Sequence, residues 1–422
     1  MLAPRTPALL LGLALGLICV PAAGQYAAGD TIIADQTIMG TNWPLWGITP
    51  QGTLYTVTAS LPLSAYSVAP APDNRTLWVS GKGNAGYTLA SVAPDGTITN
   101  INVDFQNLFT SIDVDGNGNA ILCNLPKPEI KKIKYNTTTI TTLHQAMALS
   151  NISGAGMDLQ TGDLVMVDAN GIFQANLFGN VTVSTVIPFV GTRSAPAGLH
   201  DDPETGTMVG SWGSDVYRLI PGTPGVLTTI WSGATLETLG SLDRNPFDGS
   251  YVIPAAATPI SSRPSAVYRF DASTATITTM ITYSGTHRAS PVAATVAGSR
   301  HLCGGGGVEA RPGQPFALMV SSPNEPGVAY VIACSLGFGP GIPLGNGRKV
   351  YLTPDALFFY SLLNTGIFWN FQGNLMATGE GIGVIQIPNI PQLSGLRFFA
   401  AAVTLNNNRI SVISDTLGVT IQ

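Results

Sequence analysis

Hydrophobic and polar residues alternate in short segments along most of the chain, and one kind of segment recurs six times. Each copy opens on an apolar residue, passes through a turn and continues as a Thr-rich strand; the copies are residues 48–57, 92–101, 134–143, 177–186, 220–230 and 270–280. β-Branched residues that alternate with polar ones, beside Gly, Asn and Asp turns, are typical of half-buried β-hairpins. Counted from the residue before each Thr-rich strand, neighbouring copies are 42 to 50 residues apart. The pattern predicts six outer hairpins.

A second, more apolar hairpin alternates with the first along the chain. Its copies are residues 66–81, 110–123, 154–168, 197–211, 240–253 and, more weakly, 290–303. The second strand of each is an apolar run, such as LVMV at residues 164–167, which is typical of a strand buried on both faces. One inner and one outer hairpin make a four-stranded antiparallel sheet, and a repeat of roughly 43 residues is that of a propeller blade.

The order of the hairpins predicts how the ring closes. The repeats begin with an outer hairpin and end with an inner one, so each of these is half of a blade. Pairing the two halves completes a sixth blade and removes the open sheet edge. Either residues 31–35 or residues 300–303 supply the second strand of this composite blade. We therefore predict an all-β fold in which residues 31–303 form a six-bladed β-propeller closed by N- and C-terminal strands.

Both ends of the chain differ from the repeats. Residues 1–24 contain one early Arg, an apolar run and a stretch of small residues, the pattern of a secretory signal peptide. Residues 304–315 are rich in Gly and predict a linker. Residues 316–422 contain eight strand-like runs separated by Gly, Pro and Asn turns, which predicts a β-sandwich. We expect a secreted protein, extracellular or periplasmic.

The composition narrows the classes of partner. Only 10% of the residues are charged, with 19 Lys and Arg against 24 Asp and Glu. Without an extended basic cluster, we expect neither nucleic-acid binding nor attachment to anionic membranes. No segment after the signal peptide is long and apolar enough to span a membrane, and we expect a monomer.

Three cysteines follow the signal peptide, at Cys123, Cys303 and Cys334. In an oxidising compartment, Cys303 and Cys334 have the opportunity to form a disulfide. The alternative is that all three are small, buried hydrophobic side chains.

Two turn sequences carry a resemblance to known propellers. VAPDGTI at residues 92–98 and DVDGNGNAIL at residues 113–122 resemble the aspartate-glycine turns of the NHL, SMP-30 and streptogramin-lyase group. The resemblance covers roughly residues 31–303 and implies the fold rather than an activity. Residues 321–333, 385–401 and 414–422 resemble a C-terminal module of secreted planctomycete-type bacterial proteins, which implies export.

The sharpest local motif is the series Asp113, Asp115 and Asn117, which matches the opening of a calcium-binding EF-hand loop. The twelfth position is Asn124, where such a loop has a bidentate Glu. We therefore interpret the segment as a structural turn, with calcium as the weaker alternative and no other cofactor expected. Asp residues also recur at the inner hairpins, and we favour turn-holding hydrogen bonds over a metal-binding ring for them: Asp113, Asp158, Asp202 and Asp243.

Loops that lead into first strands, or join second to third strands, converge at one end of a propeller. In the predicted register they carry a mixed set of aromatic, acidic and basic residues: Trp43, Asn107, Arg193, Trp212, Glu237, His287 and Arg288. We predict that this set binds a ligand at the propeller face.

No catalytic residue can be named from the sequence. None of the four histidines follows a Glu in the Glu-x-His step associated with streptogramin lyases. The hypothesis favoured by the sequence is a secreted, non-catalytic binding protein whose partner is a carbohydrate or an envelope protein. The alternative is a metal-assisted lactonase or lyase of the SMP-30 or streptogramin-lyase type.

Overall fold

The computed structural model describes residues 26–422 apart from short segments, and the structural statements below refer to the described residues. The exceptions are residues 28, 36–42, 72, 74–75, 84–85, 105–107, 126–128, 135–136, 138–139, 146–151, 169, 178–180, 189–195, 221–224, 234–236, 247, 258–264, 284–290, 298–301, 305–308, 346–347, 364–365 and 408.

Antiparallel sheets of four or five strands make up the first two thirds of the chain. Sheet 1 contains β1 (Thr31–Asp35), β2 (Trp43–Ile48), β3 (Leu54–Leu61) and the distant β25 (Pro291–Val296). Sheet 2 contains β4 (Leu63–Pro70), β5 (Leu77–Gly83), β6 (Gly86–Val92) and β7 (Ile98–Asp104). Sheet 3 contains β8 (Leu108–Val114), β9 (Ala120–Leu125), β10 (Glu129–Ile133) and β11 (Ile140–Gln145).

The next three sheets follow in chain order. Sheet 4 contains β12 (Gly154–Met157), β13 (Leu164–Val167), β14 (Gly171–Asn176) and β15 (Thr182–Pro188). Sheet 5 contains β16 (Pro196–Asp202), β17 (Thr207–Trp212), β18 (Asp215–Ile220) and β19 (Val226–Ser232). Sheet 6 contains β20 (Glu237–Leu239), β21 (Asp243–Arg244), β22 (Tyr251–Ala257), β23 (Ser265–Asp271) and β24 (Thr276–Tyr283).

The innermost strands of these sheets touch one another in a ring. Among the described residues, β25 contacts β4, and the series continues through β8, β12, β16 and β21 back to β25. The burial pattern agrees with this arrangement, because β13 is buried at every position whereas the Thr-rich β15 is largely exposed. The all-β propeller fold is therefore confirmed. The total number of blades stays a prediction from the repeats.

Sheet 1 closes the ring by joining the two ends of this region. β1 pairs with β2 on one side and with β25 on the other, with Ile33 opposite both Trp46 and Ala294. The second strand of the composite sheet is thus the N-terminal β1. The competing segment near residue 303 instead forms β26 (Leu302–Gly304), which pairs with β27 (Pro315–Ser321) in the next part of the chain. The predicted domain boundaries stay predictions. In the structure, β26 begins at Leu302 and belongs to the sheets of the C-terminal part of the chain.

Residues 302–422, here called the C-terminal unit, form two facing sheets. One has the strand order β26, β27, β33 (Glu380–Gln386) and β31 (Phe368–Trp369). The other has β32 (Gln372–Asn374), β28 (Ala329–Ser335), β34 (Arg397–Asn406) and β35 (Arg409–Ile413), with β36 (Leu417–Thr420) on the same β34.

Smaller elements complete the C-terminal unit, and one core lies between its sheets. The elements are the hairpin of β29 (Ile342–Gly345) and β30 (Arg348–Val350), the helix α1 (Ala356–Ser361) and a 3-10 turn at Pro391–Leu393. Phe316 of one sheet packs edge-to-face on Phe398 of the other at 6.3 Å between ring centroids. The predicted β-sandwich is confirmed by this arrangement.

Cys303 and Cys334 are both buried thiols, so the disulfide considered from the sequence does not form in the described structure. Within the described residues, no helix combines the length and apolarity that crossing a bilayer requires.

The C-terminal unit is docked on one end of the propeller, where the first strands of the sheets finish. Arg397 donates to the Leu159 carbonyl oxygen from both Nε, at 3.1 Å, and Nη2, at 2.8 Å. Arg244 pairs with Asp415 at 2.8 Å. Backbones also meet closely, because a Cβ added to Gly116 would overlap the Gly418 carbonyl oxygen. Absence of a side chain at Gly116 therefore permits the contact.

Candidate functional site: the capped end of the propeller axis

A small polar cavity lies between the propeller and the C-terminal unit. Its volume is about 100 Å³, which is room for a few water molecules. First strands of sheets 3 to 6 end at this cavity, and each brings at least one ionisable residue at or near its last position. The charged and titratable lining includes Asp113, Asp158, His200, Asp201, Asp243 and Arg397.

His200 is held by hydrogen bonds at both ring nitrogens. Its Nε2 lies 3.0 Å from Asp243 Oδ1, and its Nδ1 lies 3.1 Å from the Asp201 carbonyl oxygen. A carboxylate and a carbonyl oxygen only accept hydrogen bonds, so both nitrogens must donate. His200 is therefore an imidazolium, and its two N–H groups are already committed.

The electrostatic surroundings of His200 also favour its protonated form. Burial lowers the pKa of His200, but the hydrogen bond to Asp243 and the negative charges of Asp243 and Asp113 outweigh burial and raise this pKa to about 9. The side chain retains 28% of its exposure, on the side that lines the cavity. Burial would raise the pKa of Asp243, yet its bonds to His200 and Thr295 hold that pKa below its usual range.

Asp243 connects three sheets at the axis. Besides His200 of sheet 5, its Oδ2 accepts from Thr295 Oγ1 at 2.5 Å and from Val296 N at 3.0 Å, both in β25 of sheet 1. Asp243 itself begins β21, the second part of the interrupted first strand of sheet 6. The carboxylate thus stabilises the seam where the last strand of the propeller meets the sheet before it.

Stability is expected to fall with rising pH because of His200. The folded-state pKa near 9 lies above the ordinary value of 6.5, so the contribution is fully present below pH 6.5 and is lost as pH rises to about 9. Denaturation midpoints measured in urea should therefore decline over this window. The His200→Gln variant should be less stable at pH 6 and show a flatter decline, and equal slopes for both proteins would contradict the assignment.

Two other carboxylates also bridge neighbouring sheets. Asp113 Oδ2 accepts from Met157 N at 2.8 Å, and Asp201 Oδ1 accepts from Leu159 N at 3.0 Å. Burial, followed by the charge of Asp158, raises the pKa of Asp201 well above its usual range. These bonds run between sheets, whereas the sequence predicted bonds within each turn.

The turn interpretation describes the remaining aspartates. Asp158 accepts from Gln160 N and Thr161 Oγ1, and Asp202 accepts from Glu204 N and Thr205 Oγ1. In the calcium-like segment, Asp115 Oδ1 accepts from Asn117 N and Asn119 N, each at 2.9 Å. Those bonds are the ones that a capped turn needs. Among the described residues, no group of three or more His, Cys, Asp or Glu has a metal-binding arrangement.

Three of the residues predicted for ligand binding lie at the opposite end of the propeller, here called the open end. Trp43 begins the third strand of sheet 1, Trp212 ends the second strand of sheet 5, and Glu237 begins sheet 6. Antiparallel order puts all three positions away from the C-terminal unit. The other four predicted residues lie outside the described residues: Asn107, Arg193, His287 and Arg288.

Neither tryptophan displays a whole ring at the open end. Trp212 is 5% exposed and packs on Tyr217 with 5.5 Å between ring centroids. Trp43 is half-buried against a hydrophobic cluster that includes Leu61. Their rings therefore stabilise the sheets, and a ligand at this end would meet the rim of Trp43.

Sequence reasoning missed the residues that make the capped end. The recurring aspartates were visible, but His200 and Arg244 carry no repeat signal, and Arg397 lies 238 residues from its propeller partner Leu159 in sequence. Only the docking of the C-terminal unit brings Arg397 to Leu159.

Comparison with known proteins supports the fold and nothing finer. No family model matches the chain, and no curated protein does. Solved structures that resemble it are β-propeller proteins. A nidogen/laminin complex structure matches 64% of this chain and 98% of its own, at 13% identity and a TM-score of 0.50. Virginiamycin B lyase from Staphylococcus aureus matches 70% and 94%, at 12% identity and a TM-score of 0.44. TolB from Acinetobacter baumannii matches 64% and 66%, at 14% identity and a TM-score of 0.48.

Proposed function

We propose that this chain is an exported, non-catalytic binding protein that takes its ligand at the open end of the propeller. The C-terminal unit then serves as a fixed accessory module on the other end. Its resemblance to modules of secreted planctomycete-type proteins and the signal-peptide pattern of residues 1–24 both support export.

The observation that carries the proposal is the state of the capped end. A general base needs a lone pair within reach of a substrate proton, and both nitrogens of His200 donate hydrogen bonds to protein oxygens. Asp243 accepts four hydrogen bonds, and both oxygens of Asp113 accept backbone N–H groups. The side chains of His200, Asp243 and Asp113 are thus engaged with the protein, which supports a structural role for them rather than a catalytic one.

The size of the cavity and the access to it also support a ligand site at the open end. The cavity of about 100 Å³ and its neighbour of about 220 Å³ at the same end are each smaller than common ligand pockets, which measure roughly 300 Å³ or more. The Arg397 and Arg244 contacts hold the C-terminal unit over it. A macromolecular ligand therefore has the open end to bind, which is the end where Trp43, Trp212 and Glu237 lie.

A binding screen with two variants tests the proposal. Full-length protein is screened against neutral and charged glycans and against peptides from envelope proteins. We expect one ligand class whose binding weakens at least about tenfold in Glu237→Gln or Trp43→Ala, as for residues at the centre of an interface. The control, Asp95→Asn, changes an exposed carboxylate in a turn at the other end of sheet 2 and should bind like the wild type.

The same preparations test the alternative function, a metal-assisted lactonase or lyase. Lactone and ester panels with added calcium, zinc or manganese should show no turnover above the metal alone. Turnover that Glu237→Gln abolishes would overturn the non-catalytic assignment, and a screen with no ligand at all would overturn the binding role.

A further inference from the structure

The two cavities at the capped end adjoin each other, and Arg397 of the C-terminal unit lines both of them. Gly116, Met157 and Gly418 also line both cavities. Charged side chains of the propeller and of the C-terminal unit therefore surround one region between the two parts of the chain. The balance of charge in this region decides how the closed interface responds to pH.

Most of the cations in this region are paired with a carboxylate. The ion pairs at the cavities are His200 with Asp243 at 3.0 Å, Arg244 with Asp415 at 2.8 Å and Lys132 with Glu309 at 3.4 Å. Beside the cavities, Arg311 adds a second cation to Glu309, Arg218 pairs with Asp202 at 3.2 Å, and Glu204 accepts from Tyr351 and lies 3.7 Å from Lys349. Apart from Arg311, these pairs match each positive charge with one negative charge.

Carboxylates outnumber the cation that these pairs leave over. Among the described residues of the lining, that cation is Arg397, and it shares the two cavities with Asp115, Asp158, Asp163 and Asp201. Like charges held close together disfavour each other's ionised forms, and burial disfavours those forms further. The closed interface is therefore more stable when at least one of these four carboxyl groups carries a proton.

Asp201 is the least satisfied of the four carboxyl groups. Its Oδ1 accepts from Leu159 N at 3.0 Å, and its Oδ2 receives no hydrogen bond from the described residues. Each of the other three accepts at least two hydrogen bonds. Charged or titratable side chains reach Asp201 from every neighbouring element, namely Asp113, Asp158, His200, Tyr251 and Arg397. Oδ2 of Asp201 is thus the atom best placed to hold a proton.

Leu159 connects Asp201 directly to the docking contact. The N–H group of Leu159 donates to Asp201, and its carbonyl oxygen accepts two hydrogen bonds from Arg397 of the C-terminal unit. An ionised Asp201 would attract the Arg397 guanidinium, but that single charge is shared with Asp158 and Asp163. The attraction therefore offsets only part of the cost of burying an ionised Asp201.

From this arrangement we propose that the C-terminal unit closes on the propeller with uptake of a proton, which Asp201 holds. In the open state the Asp201 carboxyl group would face bulk water, where its pKa returns toward the ordinary 3.8. In the closed state, burial and then the charge of Asp158 raise this pKa well above 3.8, against the opposing effects of the Leu159 N–H group and His200. The contribution of Asp201 to docking is therefore fully present below pH 3.8 and is lost as the pH rises through the raised pKa. This coupling concerns the capped end and does not depend on the ligand proposed for the open end.

Proteolysis of the full chain at a series of pH values tests the proposal. Wild type and Asp201→Asn are digested between about pH 5 and 9, and cleavage between β25 and β26 is followed. The amide keeps an oxygen for Leu159 N and cannot ionise, so it imitates the protonated carboxyl group at every pH. Slow cleavage of a briefly opened state reports how often the interface opens, and the ratio of the two rates removes the pH dependence of the protease. We expect the wild-type rate to rise relative to that of Asp201→Asn by up to about tenfold for each pH unit, the change for one proton, and then to level off.

Two further measurements guard against misfolding and against effects of charge in general. Asp95→Asn removes an exposed carboxylate from the turn between β6 and β7 and should keep the wild-type pH dependence, and circular dichroism should show that all three proteins are folded. Carbon NMR of the wild type should show an aspartate carboxyl group that titrates well above pH 3.8, and its absence would overturn the proposal. A constant ratio of cleavage rates would do the same. Faster cleavage of Asp201→Asn than of the wild type at high pH would also overturn it, because the Asp201 charge would then be holding the unit closed.

Discussion

Replacing Asp243 by Asn is expected to destabilise the propeller by about 3 kcal/mol, the loss typical of a buried ion pair from which one charge is removed. The amide has nearly the shape of the carboxylate, so the change is one of charge and hydrogen bonding. In either orientation, an Asn side chain has one oxygen to serve His200, Thr295 and Val296, which now share two. The half-buried imidazolium of His200 would then remain without its counter-charge.

The loss should appear first at the seam of the ring. Thr295 and Val296 belong to β25, which joins β1 in sheet 1. Hydrogen exchange of amides in β25 and β1 should therefore accelerate more than exchange in β13, which lies in sheet 4. Urea denaturation gives the change in overall stability.

A double-mutant cycle identifies the cause. His200→Gln alone removes the cation and leaves Asp243 buried, whereas the double variant with Asp243→Asn removes both charges. If the pair acts as a unit, the double variant should be more stable than the sum of the single losses predicts. Additive losses, or a loss under about 1 kcal/mol for Asp243→Asn, would show that the pair contributes little.

The fold was largely predictable because its signal is local and repeated. Alternating Thr-rich strands and apolar runs reflect which face of each strand is buried, and the Gly and Asp turns reflect backbone conformation. Gly96, for example, has a φ of 80° in the turn between β6 and β7, where Asp95 caps the following residue, Thr97. Both signals lie within a few residues of the structure they specify.

The capped end was not predictable by the same reasoning. Asp113 was interpreted as a turn residue, but its Oδ2 accepts from Met157 N, 44 residues along the chain. His200 and Asp243 are separated by 43 residues in sequence. They meet because the first strands of the sheets converge at the propeller axis. A repeat pattern places residues on strands, but it does not specify which side chains of neighbouring strands bond to each other. The docked C-terminal unit adds contacts to this end of the propeller, and no local sequence pattern encodes those contacts.

Arg397→Met is expected to release the C-terminal unit from the propeller. Arg397 donates two hydrogen bonds to the Leu159 carbonyl oxygen and one to Thr420 Oγ1 at 2.8 Å. Methionine keeps much of the apolar stem but leaves a buried carbonyl oxygen without these donors, which costs about 1–3 kcal/mol for each unsatisfied group. Asp158 and Asp201 would also lose the nearby positive charge of Arg397.

Release should be visible in the size of the molecule and in its protease sensitivity. Small-angle scattering should give a larger radius of gyration for Arg397→Met, and proteolytic cleavage of the chain between β25 and β26 should become faster. Separate folding of the two parts would appear as two thermal transitions, since the contacts that couple them are weakened.

A matched control is available in the same unit. Arg409 is an exposed arginine on β35, and Arg409→Met removes the same charge without touching the interface. Its scattering curve and cleavage rate should equal those of the wild type. If Arg397→Met behaves like Arg409→Met, two other contacts are sufficient to hold the C-terminal unit on the propeller. These are the close contact between the backbones of Gly116 and Gly418 and the Arg244–Asp415 ion pair. Arg397 would then only occupy space in the wall of the cavity. If only Arg397→Met opens the molecule, this single guanidinium controls access to the capped end of the axis.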